Sequence, residues 1–436
     1  MVYVSLVLLI VLLLAGGGFC FYQWNIVRKN NETLAVEIPF DDSYSFKIAT
    51  IWLTFGCISL GVGVIVIILV ICFRKHIHLA IEILGHVSRM ITDMLTVLIY
   101  PLVPFLFYLI VMAYFLATGV FLASMSRQQF FKYSNASSNQ LLEPDSQEKC
   151  GLDMKNAESH GCVFGYYVNY RWVPALHAYN FFMFLWVIGF IEAMSQMTLA
   201  GAFCNWYWTM DKKTIPCCPI TKSSCIAARY HMGTAAFGSF LIACVRFIRA
   251  VILYFQKKCQ NSNNCCAKFC LCMCQCCCKC IQNCLTFITK NAYVMTMMLN
   301  KSFCPAAANS FLLILRNMVY FKLNDCISDL VLFMGKLIVT GIMALISYLF
   351  FSNSLSSVNS NFEHNLNFVW VPVVLVILGT FLTTVVFFQV FEYGTNVIFI
   401  CVMEDIERNK DKTEKNYYMP DSMISTLGLD QSKTAV

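Results

Sequence analysis

A chain of 436 residues that is 58% hydrophobic and 13% charged, with mean hydropathy +0.65, is not an ordinary soluble domain, in which about a quarter of residues are charged. It reads as an integral membrane protein. The net charge of +7 is small for the length and scattered, so there is no basic patch for nucleic acid, and the surplus fits the loop asymmetry that orients membrane spans.

The chain opens on MVYVSLVLLIVLLLAGGGFCFYQW, an apolar core followed by small residues at Ala15 to Gly18. A signal peptide would also carry a positive n-region, which is absent, and the stretch is read as a first span. Asn31-Glu32-Thr33 is a glycosylation sequon in the polar loop that follows. Ile48 to Phe73 is long enough for a second span and ends at Arg74-Lys75-His76, which marks a cytosolic end. Between His78 and Met90 the apolar residues Leu79, Ile83, Val87 and Met90 recur at helical spacing, with Glu82, His86 and Arg89 between them. That pattern predicts an amphipathic helix on the cytosolic face. Met94 to Ser124 is a third span, interrupted at Tyr100-Pro101-Leu102-Val103-Pro104, where a kink or a hinge is expected.

The loop from about 125 to 175 is polar and reads as extracellular. It holds a second sequon at Asn135 and an even pair of cysteines, Cys150 and Cys162, expected to form a disulfide. The next span, Tyr179 to Thr209, carries Glu192 and Gln196 in its apolar middle. A charge at membrane depth is costly and faces protein or water rather than lipid. Gly189, Glu192, Gln196, Phe203 and Tyr207 share one helical face, the candidate wall of a solute pathway, with Trp186 beside it. Trp206 and Trp208 fit an interfacial aromatic belt, which leaves Tyr207 as the better cage residue. Lys212, Lys213, Lys222 and Arg229 mark the cytosolic end.

His231 to Phe255 is apolar and begins rich in Gly and Ala, which permits close helix packing. Eleven of the 24 cysteines follow between Cys259 and Cys284. The readings open for them are acylation or a membrane-proximal structural role, with Cys276, Cys277, Cys278 and Cys280 as the acylation candidates, a zinc site, or disulfides. Lys257, Lys258, Lys268 and Lys279 would place the run in the cytosol, whereas strict alternation of spans places it outside. A re-entrant or tilted pair, His231 to Phe255 with Leu285 to Leu299, would reconcile the two. Ile327 to Phe351 and Phe368 to Val402 are the last spans. The fold class is thus all-α, a polytopic membrane helical bundle of about eight segments within residues 1–409, with a cytosolic tail over 410–436.

Six strings occur in order: Gln196-Met-Thr-Leu-Ala-Gly-Ala-Phe203, Arg229-Tyr-His-Met-Gly-Thr-Ala-Ala-Phe-Gly238, Asn291-Ala-Tyr293, Phe303-Cys304, Leu315-Arg-Asn317 and Met403-Glu-Asp-Ile-Glu-Arg-Asn409. Together with Tyr100-Pro-Leu-Val103 they resemble the choline transporter-like proteins, solute carrier family 44. The resemblance implies ten spans, cytosolic termini and a large glycosylated loop between the first two spans. It covers essentially all of this chain but not those first two spans, so a short form or fragment is expected. It also implies an acidic residue near Asn396, where this chain has an amide and Glu392 one turn earlier.

The implied function is membrane transport of choline or a related quaternary or primary amine by an ATP-independent carrier, with proton exchange; a transport-incompetent scaffold or truncated isoform is the alternative. A quaternary ammonium donates no hydrogen bond and is best held over aromatic faces. The pathway candidates are therefore Glu192, Gln196, Phe203, Tyr207 and Trp186. His231 and Glu392 are the coupling candidates, and Asp329 and Lys336 read as a structural pair. No Walker A, H-E-x-x-H or G-x-S-x-G string occurs, so no enzyme, cofactor or metal is expected. The expected partners are an organic cation and the bilayer of the plasma membrane or an internal one such as the mitochondrial. The oligomeric state is open.

Overall fold

The computed structural model describes residues 2–30, 33–38, 41–72, 74–132, 149–150, 162–215, 218–259, 265–351, 370–410 and 416–427. The glycosylation candidates Asn31 and Asn135 lie outside these. Seven helices among the described residues are long and apolar enough to cross a membrane, and the leucine-rich α1 (Val2–Asn30) adds a further helix of 29 residues. Their outer faces are apolar: on α2 (Ile48–Cys72), Phe55 and Ile58 are each 62% exposed, which in water would be a liability and in lipid is the rule.

The chain divides into two compact units, Met1–Pro101 with Leu199–Lys222 and Asn309–Val436, and Leu102–Thr198 with Ser223–Ala308. In the first, α1 lies against α2 at a small-residue seam. A Cβ on Gly17 would meet Leu60 at 2.8 Å, and one on Gly56 would meet Phe21 at 3.1 Å. The Ser59 hydroxyl donates to the Leu13 carbonyl at 2.7 Å. Such close backbone approach is how helices associate where lipid offers no hydrophobic contrast.

The expected amphipathic segment is α3 (Arg74–Asp93), and all four of its sequence-predicted apolar positions, Leu79, Ile83, Val87 and Met90, are buried. Val87 and Met90 pack on α12 (Trp370–Asn409), where Gly394 permits the approach: a Cβ there would meet Val87 at 3.0 Å, Met90 at 3.3 Å and Phe203 at 3.4 Å. The long helix α11 (Met318–Phe351) also packs on α3 and α12. At 40 residues α12 is about 60 Å long, twice the roughly 30 Å hydrocarbon core. It therefore carries Glu404 to Asn409 well past the span, where the Arg316 guanidinium, at the end of α10 (Phe303–Arg316), pairs with Glu407.

Pro101 breaks the third span, which becomes α4 (Thr96–Ile99) and α5 (Leu102–Ser124). In the second unit, α6 (Val173–Tyr207, belonging to this unit as far as Thr198), α7 (Pro219–Tyr230), α8 (Met232–Lys258) and α9 (Cys265–Leu299) enclose a core of Ala193, Met197, Ala227, Ala235, Ala292, Tyr293 and Phe303. The Gly/Ala-rich start of α8 does what its composition implies. A Cβ on Gly238 would sit on the Tyr293 hydroxyl and 2.9 Å from Phe303.

The cysteine run is part of the continuous helix α9, 35 residues long, beside the 27-residue α8. Both exceed the length needed to cross. Cys276, Cys277 and Cys280 are exposed and Cys278 is half-buried.

Among the described residues, strands occur only in the polar loops. β1 (Thr33–Ile38) and β2 (Asp41–Lys47) form a hairpin, and β3 (Ser126–Lys132) lies between β4 (Lys149–Cys150) and β5 (Cys162–Asn169). β3 thus separates the strands carrying Cys150 and Cys162, whose side chains are outside the described residues.

Candidate amine-binding cleft

The helical face expected to wall a pathway is divided. Glu192 and Gln196 belong to the second unit, where Gln196 Nε2 donates to Glu192 Oε1 at 3.2 Å. They line a cavity with Arg246, Thr289, Lys290 and Tyr293 of about 20 Å³, room for roughly one water. The hydroxyls of Thr289 and Tyr293 are buried there without a hydrogen-bond partner among the described residues. Trp186 is a packing residue: its indole N–H donates to the Ala236 carbonyl at 3.2 Å and its ring meets Phe240 edge-on at 5.5 Å.

Phe203 and Tyr207 belong to the first unit. Phe203 is wholly buried in the core and lines neither the Glu192 cavity nor the cleft beside Tyr207. Tyr207 is also buried, and its hydroxyl donates to Asp405 Oδ2 at 3.1 Å. Its ring, however, borders a cleft of about 360 Å³ lined by His86, Arg89 and Asp93 of α3, by Trp206 and Lys212, and by Tyr418, Pro420 and Met423 of the C-terminal segment. That volume falls in the range of small-molecule sites.

The cleft is built by three pieces of chain. On α3, His86, Arg89 and Asp93 follow at i, i+3 and i+7 and form one stripe, flanking the face whose residues Leu79, Ile83, Val87 and Met90 are buried. The end of α6 supplies Trp206, which is buried rather than part of an interfacial belt, and its indole N–H donates to Asp93 Oδ2 at 2.9 Å. The tail supplies the third wall. Asp405 accepts the backbone N–H groups of Tyr418 at 2.8 Å and Met419 at 3.2 Å, and its other oxygen accepts from Asn409 Nδ2 at 3.0 Å. Met419, Met423 and Ile424 are buried, the latter two on the short helix α13 (Asp421–Thr426). Within the segment expected as a cytosolic tail over 410–436, residues 416–427 are docked on the cleft.

Electrostatically the cleft already contains an ammonium. Lys212 Nζ lies 4.1 Å from the centroid of the Trp206 ring. It donates to the carbonyls of Trp206 and Thr209, and its partial burial lowers its pKa against the opposing pull of Asp93. Burial, and then the charges of Arg89 and Lys212, lower the pKa of His86, so the imidazole is neutral at pH 7.

A larger groove of about 610 Å³ between α5 and α6 is lined by Tyr114, Phe115, Thr118, Tyr179, Asn180 and Phe184 among others. It has aromatic faces but no acidic group, so a cation there would lack a countercharge. The coupling candidates line neither the cleft nor the Glu192 cavity. His231 is buried at the N-cap of α8 and makes no side-chain capping bond. Glu392 is half-buried on α12. Asp329 is exposed and Lys336 half-buried on α11. Among the described residues, no three His, Cys, Asp or Glu side chains are grouped to hold a metal.

An array of lipid-exposed spans with polar groups gathered in interior clefts defines a multi-pass helical membrane protein. The chain belongs to the plasma-membrane choline transporter family, whose model matches residues 57–407. It is 34% identical over 441 residues to choline transporter-like protein 2 of Salmo salar, a match covering 98% of this chain and 62% of that protein. It is 32% identical over 425 residues to choline transporter-like protein 4 of Xenopus laevis, covering 94% and 60%, and 31% identical over 431 residues to choline transporter-like protein 5-A of Danio rerio, covering 95% and 60%. The chain thus spans about three fifths of the length of these relatives.

Proposed function

We propose that this chain forms an ATP-independent carrier for choline or a related quaternary or primary amine in the plasma membrane, and that the amine binds in the Trp206 cleft. The observation that carries this reading is the ammonium of Lys212 seated over the Trp206 ring beside Asp93. A site that attracts one ammonium through a ring quadrupole and a carboxylate attracts another, at about 0.5 to 2 kcal/mol for the ring. Family membership supports the transport class.

Proton exchange then follows from His86 rather than His231. An amine in the cleft adds a positive charge beside His86, Arg89 and Lys212, opposite Asp93, with the hydroxyls of Tyr207 and Tyr418 as the remaining titratable groups on the wall. Amine binding lowers the His86 pKa further, and protonation of His86 weakens amine binding in return. Proton and amine compete for the same cleft without sharing atoms.

Uptake of radiolabelled choline into proteoliposomes containing only this chain tests the carrier. Saturable uptake without ATP is the expected result. Uptake no greater than into empty liposomes would favour the transport-incompetent scaffold.

A further inference from the structure

Helix α6 ends at Tyr207, and a helix C-terminus leaves carbonyl oxygens without intrahelical donors. Lys212 turns back onto that end from the short 3-10 turn Lys212–Thr214, which the Asp211 carboxylate caps by accepting from the Lys213 N–H at 3.0 Å. Its Nζ donates to the carbonyls of Trp206 at 2.5 Å, Thr209 at 2.6 Å and, more weakly, Tyr207 at 3.4 Å. A lysine beyond a helix C-terminus often makes such contacts.

Lys212 differs from an ordinary cap in where its ammonium rests. It lies 4.1 Å from the Trp206 ring centroid and inside a ligand-sized cleft. The indole cannot tilt away freely, because its N–H is tied to Asp93 on the neighbouring helix. Two attractions for positive charge thus meet at the ammonium, the face of the indole and the negative end of the α6 dipole, and the carboxylate of Asp93, held on the indole N–H, adds its charge from the same cleft.

We propose that Lys212 is a tethered competitor for the amine site, its ammonium filling the Trp206 face until a substrate ammonium displaces it. This rests on the reading of the cleft as the amine site. The competition also sets selectivity. A quaternary ammonium takes over the ring face but donates no hydrogen bond, so it leaves the carbonyls of Trp206 and Thr209 to water. A primary ammonium replaces both the ring contact and the carbonyl bonds. Removing Lys212 therefore helps both ligands, and the primary amine more.

Calorimetric binding of choline and of ethanolamine to the full chain in nanodiscs tests this with Lys212→Met, Lys212→Gln, Lys212→Arg and Trp206→Phe. The expected result is about tenfold tighter choline binding in Lys212→Met and Lys212→Gln, a larger gain for ethanolamine, and parental affinity in Lys212→Arg. Lys212→Gln keeps an N–H donor for the carbonyls and carries the test if Lys212→Met does not fold. Choline affinity unchanged or weakened by Lys212→Gln would overturn the proposal. Weakened binding in Trp206→Phe alongside that result would leave the amine site standing without its competitor, whereas no effect of either substitution would remove the site as well.

Discussion

Replacing Asp405 by alanine should detach the tail from the cleft without unfolding the bundle. One carboxylate oxygen accepts three bonds, from the Tyr207 hydroxyl and from the backbone N–H groups of Tyr418 and Met419. Hydrogen bonds to a charged acceptor contribute about 1.5 to 3 kcal/mol each, and a buried donor left without a partner costs about 1 to 3 kcal/mol. The three share one acceptor and are not additive, so the cost of opening the tail should fall by about 3 to 5 kcal/mol, the burial of Met419, Met423 and Ile424 remaining. Amide hydrogen exchange measured by mass spectrometry on peptides covering 416–427 reads this directly. Exchange there should accelerate at least about a hundredfold in Asp405→Ala, since each 1.4 kcal/mol is a factor of ten, and about tenfold in Asp405→Asn, which keeps one acceptor but not the charge. Choline affinity should drop in parallel, because Tyr418, Pro420 and Met423 form a wall of the cleft. Exchange in Asp405→Ala within threefold of the parent would refute the docked tail.

Gly238→Ala should lower the melting temperature by the equivalent of about 1 to 3 kcal/mol of overpacking, because its methyl group would sit on the Tyr293 hydroxyl. Gly233→Ala, which meets nothing within 4 Å, should cost nothing, and equal melting temperatures for the two would contradict the packing. The lowered His86 pKa makes the folded state bind fewer protons than the unfolded one near and below pH 6.5. Its stabilising share is complete above the unfolded value and is lost as pH falls toward the folded one. Choline affinity and thermal stability should therefore both decline below about pH 6.5, and His86→Gln should flatten that acid limb; an unchanged acid limb would show that another group titrates. We also propose lipid acylation of Cys276, Cys277 and Cys280, which are exposed on α9, and of the half-buried Cys278, and expect palmitate labelling that hydroxylamine removes. No label, together with reaction of these thiols with an impermeant maleimide from outside the cell, would refute acylation and place the run on the outer side.

Elements with a strong local period were legible in the sequence. The apolar stripe of α3, the Gly/Ala packing face of α8 and the proline break before α5 all follow from residue spacing and backbone chemistry. The continuity of α9 was not, because a dense cysteine run reads as an interruption although cysteine tolerates a helix. The site was only partly legible. Glu192 draws attention as an acid at membrane depth, yet its surroundings leave space for about one water, and cavity size has no sequence signature. The cleft depends on pairs far apart in the chain: Trp206 and Asp93 are 113 residues apart, and Tyr207 and Asp405 are 198. Helical spacing places Tyr207 on the Glu192 face but says nothing of what that face meets. The strongest signal available was Asp405 inside the Met403 to Asn409 string, together with the His86, Arg89, Asp93 stripe on α3.

The most direct measurement is choline uptake by Trp206→Phe and Glu192→Gln, side by side at matched incorporation in proteoliposomes. Trp206→Phe exchanges the indole face for a weaker ring and loses the bond to Asp93, about 1.4 kcal/mol by the usual range for a cation over an aromatic ring. Its KM should rise about tenfold, while Glu192→Gln, altering a cavity too small for the amine, should stay within about twofold of the parent. A large rise for Glu192→Gln with Trp206→Phe unchanged would move the amine site out of the cleft and back to the Glu192 face.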